Sequence, residues 1–148
     1  MKILVDVNIF IDVMTKRAHW EGSLRVLNLV RQAPEIEGWA AALTVPLLYF
    51  FRLRITDDRQ ARSDAQAAMM GFRLVPLTQE IIDTALASDL PDFEDSIQLA
   101  SAETIAVDHV ITRNKRHFQP ALVSVLNPEE WLALASVATI EAELQQHG

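Results

Sequence analysis

The chain has 148 residues, half of them hydrophobic, with only 4 glycines and 6 prolines, a composition typical of one compact domain with a hydrophobic core. It has no cysteine, which excludes disulfides and thiolate metal ligands and favours a reducing compartment. Its formal net charge of -7 argues against non-specific duplex binding, because polyanion-binding proteins usually carry a basic face, although cations held between an acidic enzyme and a phosphate would permit contact.

The chain shows no sign of a second domain or of a membrane segment. Its longest apolar stretches, such as "VPLLYFF", are far too short to span a bilayer. No basic segment followed by a long apolar run opens the sequence, so no signal peptide is expected. We therefore expect a single domain over residues 1–148 that is cytoplasmic and has no membrane partner.

The first half of the chain alternates apolar strands with helices. "KILVD" is a short apolar run with branched residues, which predicts a strand buried on both faces. "HWEGSLRVLNLVRQA" has apolar residues at helical spacing and ends at Pro34, and "IEGWAAAL" predicts a second strand. "VPLLYFFRLRI" predicts a helix with Thr44 as its N-cap, and "DDRQARSDAQAAMMG" predicts a polar helix ending at Gly71.

The second half repeats this alternation. "FRLVPL" predicts a strand, "TQEIIDTALAS" a helix beginning at Thr78, and "LPDFEDSIQLASAETIA" a helix introduced by Pro91 and Asp92. "HVIT" and "LVSVL" predict strands separated by the loop "RNKRHF", and "PEEWLALASVATIEAELQQ" predicts one closing helix. Strands that alternate with helices imply an α/β fold with a parallel sheet covered by helices on both faces.

Polar residues follow the ends of the predicted strands. Asp6 ends the first strand, and Thr112 with Asn114 ends or follows "HVIT". An acidic cluster at the start of the long helix contains Asp92, Glu94 and Asp95. Ligand sites in parallel sheets lie beyond the C-terminal ends of the strands, so these three groups are expected to meet there.

Gathered carboxylates repel one another and stay ionised together only when a cation lies among them. Without thiolates, the available oxygen ligands suit Mg2+ or Mn2+. Such an ion can lower the pKa of a bound water and neutralise charge on a scissile phosphate. The pattern therefore favours metal-assisted phosphodiester hydrolysis.

Each polar residue also has a purely structural interpretation. Asp92 and Asp95 occupy N-cap and N3 positions, where acids stabilise a helix N-terminus. Asp6 could close a turn after its strand, and Asp12 could lie on a solvated face. "RNKRH" could be a solvated loop. No metal-ligand spacing connects the four histidines, and no role is assigned to them: His19, His109, His117 and His147.

Four segments, taken together and in order, resemble the PIN domain, a small metal-dependent ribonuclease fold that includes the VapC-type toxins. They are "ILVDVNIFID", "ALTVPLLYFFRL", "DFEDSIQLASA" and "VITRNKRHF". The resemblance implies a three-layer α/β/α fold with a mostly parallel central sheet, and an acidic pocket for Mg2+ or Mn2+. It also implies cleavage of single-stranded RNA and frequent homodimerisation. For the toxin of a type II toxin–antitoxin system, it implies a protein antitoxin as partner.

The resemblance assigns roles to individual residues. The metal ligands are expected to be three catalytic acids, Asp6, Asp95 and Asp92. Asn114 is expected as a further catalytic residue, with a neutral amide where other family members often place an acid. Supporting residues are expected to be Asn8, Thr112 and Glu94, and waters or phosphate would be oriented by Asn8, Thr112 and Asn114. Candidate phosphate contacts at the rim are Arg113, Lys115 and Arg116.

One family position departs from the pattern. The family's second acid is normally a glutamate one turn into the helix after the second strand, and the matching residue here is Leu47. No acid occurs between Gly38 and Asp57. Because hard-cation affinity follows ligand charge and number, this loss should weaken metal binding.

The departure at Leu47 leaves three hypotheses open. The first is an active endoribonuclease. The second is a catalytically weakened or inactive PIN-fold protein that binds RNA or a protein partner. The third is an interaction module whose "VPLLYFFRLR" helix pairs with a second copy or with an amphipathic segment.

Overall fold

The computed structural model describes residues 1–148 and contains five strands, eight α-helices and one short 3₁₀ helix. The strands are β1 (Lys2–Val5), β2 (Glu37–Ala41), β3 (Phe72–Val75), β4 (His109–Ile111) and β5 (Ser124–Leu126). The helices are α1 (Val7–Thr15), α2 (Trp20–Gln32), α3 (Thr44–Leu53), α4 (Asp58–Ala68), α5 (Gln79–Leu86), α6 (Phe93–Thr104), α7 (Pro128–Leu132) and α8 (Ala135–His147). The 3₁₀ helix covers Lys115–Phe118. None of the helices has both the length and the apolar character needed to cross a bilayer.

The five strands form one sheet in the order β3-β2-β1-β4-β5, and every pairing is parallel. The central strand β1 is buried on both faces, because successive side chains point to opposite sides of a strand. Ile3 and Val5 pack into one core with α1, α2 and α3, whereas Leu4 packs into a second core with α5 and α6. Helices therefore cover both faces of the sheet, which confirms the predicted three-layer α/β/α fold.

Three local predictions differ from the structure. The single closing helix is wrong: α7 and α8 are separate, because Leu134 has an extended backbone with φ -61° and ψ 134°. The segment predicted as a loop contains the 3₁₀ helix, which places Phe118 fully inside the second core. Thr44 does not cap α3 but is its first helical residue.

The register of β1 and β4 determines where their C-terminal ends lie. Val5 is paired with Ile111, and the backbone N–H of Asp6 donates to the carbonyl of Ile111 over 3.0 Å. The backbone N–H of Thr112 in turn donates to the carbonyl of Leu126, over 3.0 Å. Asp6 and Thr112 therefore leave the sheet side by side, at the edge where the sequence predicts a site.

Candidate active site

Asp6 is fully buried and serves as the N-cap of α1, with φ -63° and ψ 144°. Its Oδ1 accepts from Gln98 Nε2 at 2.8 Å and from the backbone N–H of Asn8 at 3.4 Å, and its Oδ2 accepts from Thr112 Oγ1 at 2.9 Å. The amide of Gln98 is itself oriented, because its Oε1 accepts from the backbone N–H of Val7 at 3.1 Å. Residues of α1, α6 and the segment after β4 thus fix one carboxylate.

All hydrogen-bond donors to Asp6 are neutral groups. Burial raises the pKa of Asp6, and the hydrogen bonds from Thr112 and Gln98 only partly oppose this shift. Neutral donors orient a carboxylate and lower the free energy of its charged form, but they do not cancel its charge. The buried charge of Asp6 therefore lacks a counterion within the chain.

Asp95 lies in the first turn of α6 and is also buried. Its backbone N–H donates to Asp92 Oδ1 at 2.9 Å, and its Oδ2 is 3.2 Å from His117 Nδ1. Burial, followed by the negative charges of Asp6 and Asp92, raises the pKa of Asp95 to about 7, with an opposing contribution from His117. The repulsion between Asp6 and Asp95 indicates that the two carboxylates share one electrostatic environment.

Two residues of this site have no role in the sequence-based assignment. Gln98 could have been found from its pattern, because it is a lone amide in the apolar run "SIQLASA" of a helix that the fold buries. His117 could not, because its partner Asp95 lies 22 positions earlier and no ligand spacing connects them.

The remaining predicted site residues lie nearer the surface. Asp92 is exposed and caps α6, as its structural interpretation predicts, and Glu94 is exposed in the same turn. Asn114 is exposed, and its backbone N–H donates to Thr112 Oγ1 at 3.1 Å. No three His, Asp or Glu side chains lie close enough together to hold one metal ion. The structure therefore brings Asp6, Thr112 and Asp95 together, and leaves Asp92, Glu94 and Asn114 at the rim.

The three predicted phosphate contacts have different surroundings. Arg113 is only 20% exposed, and its guanidinium pairs with Asp12 at 3.2 Å and with Glu129 at 2.9 Å. Lys115 pairs with an acid of α7, Glu130, at 2.9 Å. Arg116 is exposed and takes part in none of the ion pairs of the chain. Arg116 is therefore the most accessible cation of the three, whereas Arg113 is held by partners within the fold.

Asp12 lies at the other end of α1 from Asp6 and is buried rather than on a solvated face. Its Oδ2 accepts from Ser23 Oγ at 3.1 Å and pairs with Arg113, and its Oδ1 is 3.8 Å from Arg17. Asp12 therefore has cationic partners within the chain and belongs to a structural ion-pair network.

The carboxylates of Asp6 and Asp95 are oxygen donors of the type that a hard divalent cation binds. Mg2+ commonly binds to one or two carboxylates, keeps several waters and contacts substrate phosphate, so it does not require a cage of four acids. The hydroxyl of Thr44, which follows β2 at the same edge of the sheet, is buried without a hydrogen-bond partner. Buried polar atoms without a partner are rare in folded proteins, so this hydroxyl is a further unsatisfied oxygen at this edge.

The chain belongs to the PIN domain family, whose sequence profile matches residues 2–116. A search of curated proteins finds no match. PIN domains are generally nucleases that use divalent metals, so family membership supports a hydrolase class for this chain.

Solved structures with a similar fold include toxin–antitoxin proteins. VapBC-1 from nontypeable Haemophilus influenzae is 17% identical with a TM-score of 0.68, over 87% of this chain and 99% of that chain. A toxin–antitoxin complex from Klebsiella pneumoniae is 21% identical with a TM-score of 0.63, over 85% and 97%. Mycobacterium tuberculosis VapC20, described as a sarcin-ricin loop cleaving toxin, is 15% identical with a TM-score of 0.57, over 73% and 86%. At these identities the similarity shows the fold alone.

Proposed function

We propose that this PIN domain is a Mg2+- or Mn2+-dependent endoribonuclease that cleaves single-stranded RNA, and that it is the toxin of a type II toxin–antitoxin pair. The observation that carries the proposal is the pair of buried carboxylates, Asp6 and Asp95, at the C-terminal edge of the sheet. Asp6 has only neutral donors, and Asp95 has a pKa raised by burial and by Asp6. A divalent cation would relieve the repulsion between them.

Asp6 and Asp95 would hold the cation directly, and Asp92 would add negative charge while it caps α6. When bound, the cation supplies a more acidic water and neutralises charge on the scissile phosphate. Gln98 and Thr112 hold the Asp6 carboxylate in one orientation. Such preorganisation matters because a displacement of about 1 Å can cost about 100-fold in rate.

The exposed residues at the rim are placed to meet the RNA. Asn114 and Arg116 would contact phosphate oxygens, which positions a strand without reading its sequence. Lys115 can join them if its exposed ion pair with Glu130 opens, since such pairs contribute only about 0–1 kcal/mol.

A protein antitoxin and a second copy of the chain are the proposed protein partners, in the cytoplasm. A groove of about 660 Å³ between α3, α4 and β3 supports this part of the proposal. Its walls are mostly apolar and include the exposed side chains of Phe50, Met70 and Leu74. Exposed apolar patches of this kind mark protein interaction sites.

The test is Mn2+-dependent cleavage of single-stranded RNA by the full chain. Asp6→Asn and Asp95→Asn should each abolish cleavage, because each removes one anionic ligand while keeping the size of the side chain. Asp89→Asn, at an exposed position, is the matched control and should cleave normally. Unchanged cleavage by both site variants would contradict the assignment.

A second candidate function is a PIN fold with weakened catalysis that acts by binding RNA or a protein partner. The observation favouring it is Leu47, which lines a pocket together with Asn8 and Glu94 and contributes no charge where the family places an acid. Under this alternative, Leu47→Glu should raise Mn2+ affinity and cleavage together, as followed by calorimetry and an RNA assay. Full cleavage by the unmodified chain would exclude it.

A further inference from the structure

A small pocket of about 240 Å³ lies between α1, α3 and the start of α6, and we call it the α3 pocket. Its lining includes Asn8, Leu47, Phe50, Phe51, Arg54 and Glu94. It is distinct from the larger apolar groove, although Phe50 borders both. The α3 pocket therefore combines apolar walls with an amide, a guanidinium and a carboxylate.

One face of α3, together with Arg54 just after the helix, provides half of the lining residues. Leu47, Phe50, Phe51 and Arg54 follow the i, i+3, i+4, i+7 spacing that places side chains on a single helix face. Leu47 and Phe51 also pack against the first core, whereas Phe50 is 60% exposed. The partly buried Leu47 and Phe51 therefore hold the helix in place, and the exposed aromatic ring of Phe50 is available to a ligand.

Two lining residues of the pocket are close neighbours in sequence of the acidic site. Asn8 lies two residues after Asp6, and its backbone N–H donates to the Asp6 carboxylate. Glu94 directly precedes Asp95 in the first turn of α6. A strand with one phosphate at Asp6 and Asp95 would therefore have a neighbouring nucleotide beside this pocket.

The lining suits an unpaired nucleobase. Single-stranded RNA is commonly recognised by stacking splayed bases on aromatic rings or arginine guanidinium groups and by hydrogen bonds to the base edges. Phe50 offers the ring and Arg54 the guanidinium, and Asn8 with Glu94 offers polar atoms. Arg54 and Glu94 are exposed and take part in no ion pair of the chain, so neither is already held by another charge.

We propose that the α3 pocket binds one unpaired base of the RNA strand next to the scissile phosphate, an inference that rests on the proposed function. A glutamate at position 47 would place a carboxylate against the base, whereas Leu47 keeps that wall apolar. The residue that departs from the family's acidic pattern thus contributes to substrate binding. A protein partner would instead cover the broader groove, whose lining is mostly apolar.

The experiment measures binding of a short, cleavage-resistant 2′-O-methylated single-stranded RNA to the full chain in Mn2+, by fluorescence anisotropy. Strands with a single abasic residue at each position are compared with the intact strand. Phe50→Ala should weaken binding of the intact strand by about 5- to 150-fold, the loss expected for one stacked base. Leu86→Ala removes a similarly exposed apolar side chain from α5 and should bind normally.

The abasic strands make this test specific for a base. At one position the abasic strand should bind the unmodified chain as weakly as the intact strand binds Phe50→Ala. Combining that strand with Phe50→Ala should cause little further loss, because both changes remove the same contact.

Four results would overturn the proposal that the α3 pocket binds a base. Base binding would be refuted if the affinity losses of Phe50→Ala and of the abasic strand were additive. It would also be refuted if no abasic position weakened binding. In either case, cleavage of RNA by the unmodified chain would leave the proposed function standing. A change from dimer to monomer in Phe50→Ala by light scattering, without a change in base dependence, would assign this face to protein contact. If the unmodified chain neither binds nor cleaves RNA, the proposed function and base binding by the α3 pocket are both refuted.

Discussion

Asp6 and Asp12 are buried carboxylates at opposite ends of α1, and they differ in the charge of their partners. Asp12 is met by Arg113 at 3.2 Å and by Arg17 at 3.8 Å, whereas Asp6 is met by the side chains of Gln98 and Thr112. A buried acid paired with a cation contributes to the structure of the fold. A buried acid with only neutral donors has no cation within the chain to offset its charge, so a cation from solution would stabilise its ionised form.

The largest expected loss in the free energy of unfolding comes from removing the cationic partner of Asp12. Arg113→Ala leaves Asp12 with the Ser23 hydroxyl and, as its one remaining cation, the more distant and more exposed Arg17, and loss of one partner of a buried pair costs about 3–5 kcal/mol. Urea unfolding should show a loss of about this size. Lys115→Ala breaks an exposed pair in the same segment and should cost about 0–1 kcal/mol. Similar losses for both variants would show that Asp12 does not depend on Arg113.

Mn2+ should stabilise the chain only when the carboxylate of Asp6 is present. At a Mn2+ concentration of about 100 times the dissociation constant, binding should raise the free energy of unfolding by about 2.7 kcal/mol. Asp6→Asn should lose this gain, because it removes a ligand charge, while Asp89→Asn should keep it. Denaturant unfolding with and without Mn2+ measures the difference, and equal gains in the two variants would place the cation elsewhere.

The stability of the metal-free chain should depend on pH in a way that reports the raised pKa of Asp95. Its folded pKa, about 7, lies above the reference value of 3.8, so the folded state binds more protons than the unfolded state between these values. The contribution of Asp95 to the free energy of unfolding is then fully present below about pH 4. It falls as the pH rises towards 7, with a slope of at most about 1.4 kcal/mol per pH unit. Asp95→Asn should flatten this slope. An unchanged slope would show that Asp95 titrates normally.

The smallest expected effect is that of Asp6→Asn on the metal-free chain. The substitution removes a buried charge, and the hydroxyl of Thr112 can accept as well as donate. The free energy of unfolding should therefore change by no more than about 1 kcal/mol or should rise, whereas Asp12→Asn leaves Arg113 without its buried carboxylate partner and should lower it. Urea unfolding of the two variants compares the acids directly, and equal losses would remove the distinction between them.

The sequence was sufficient to predict the fold and the position of Asp6, because apolar runs and strand ends are local patterns. It placed Thr112 next to Asp6, since both follow strands of one parallel sheet. It could not separate the surroundings of Asp6 from those of Asp12, because their partners come from distant segments. The charge pattern that predicts Arg113 as a phosphate contact shows a cation. It does not show that Asp12 and Glu129 pair with this cation in the fold.

The closing helix shows a second limit of local patterns. The run "WLALASVAT" contains neither glycine nor proline, and nothing in it requires a break. The structure ends α7 at Leu132, and the extended backbone of Leu134 separates it from α8. Tertiary packing overrides intrinsic propensity in such cases.

The two acids of α1 are served by consecutive residues of one loop. Thr112 donates to Asp6, and the next residue, Arg113, pairs with Asp12. One peptide unit therefore joins the partner of the candidate site to the partner of the buried ion pair. Because Glu129 binds the same guanidinium from the first turn of α7, that turn is tied to this loop as well.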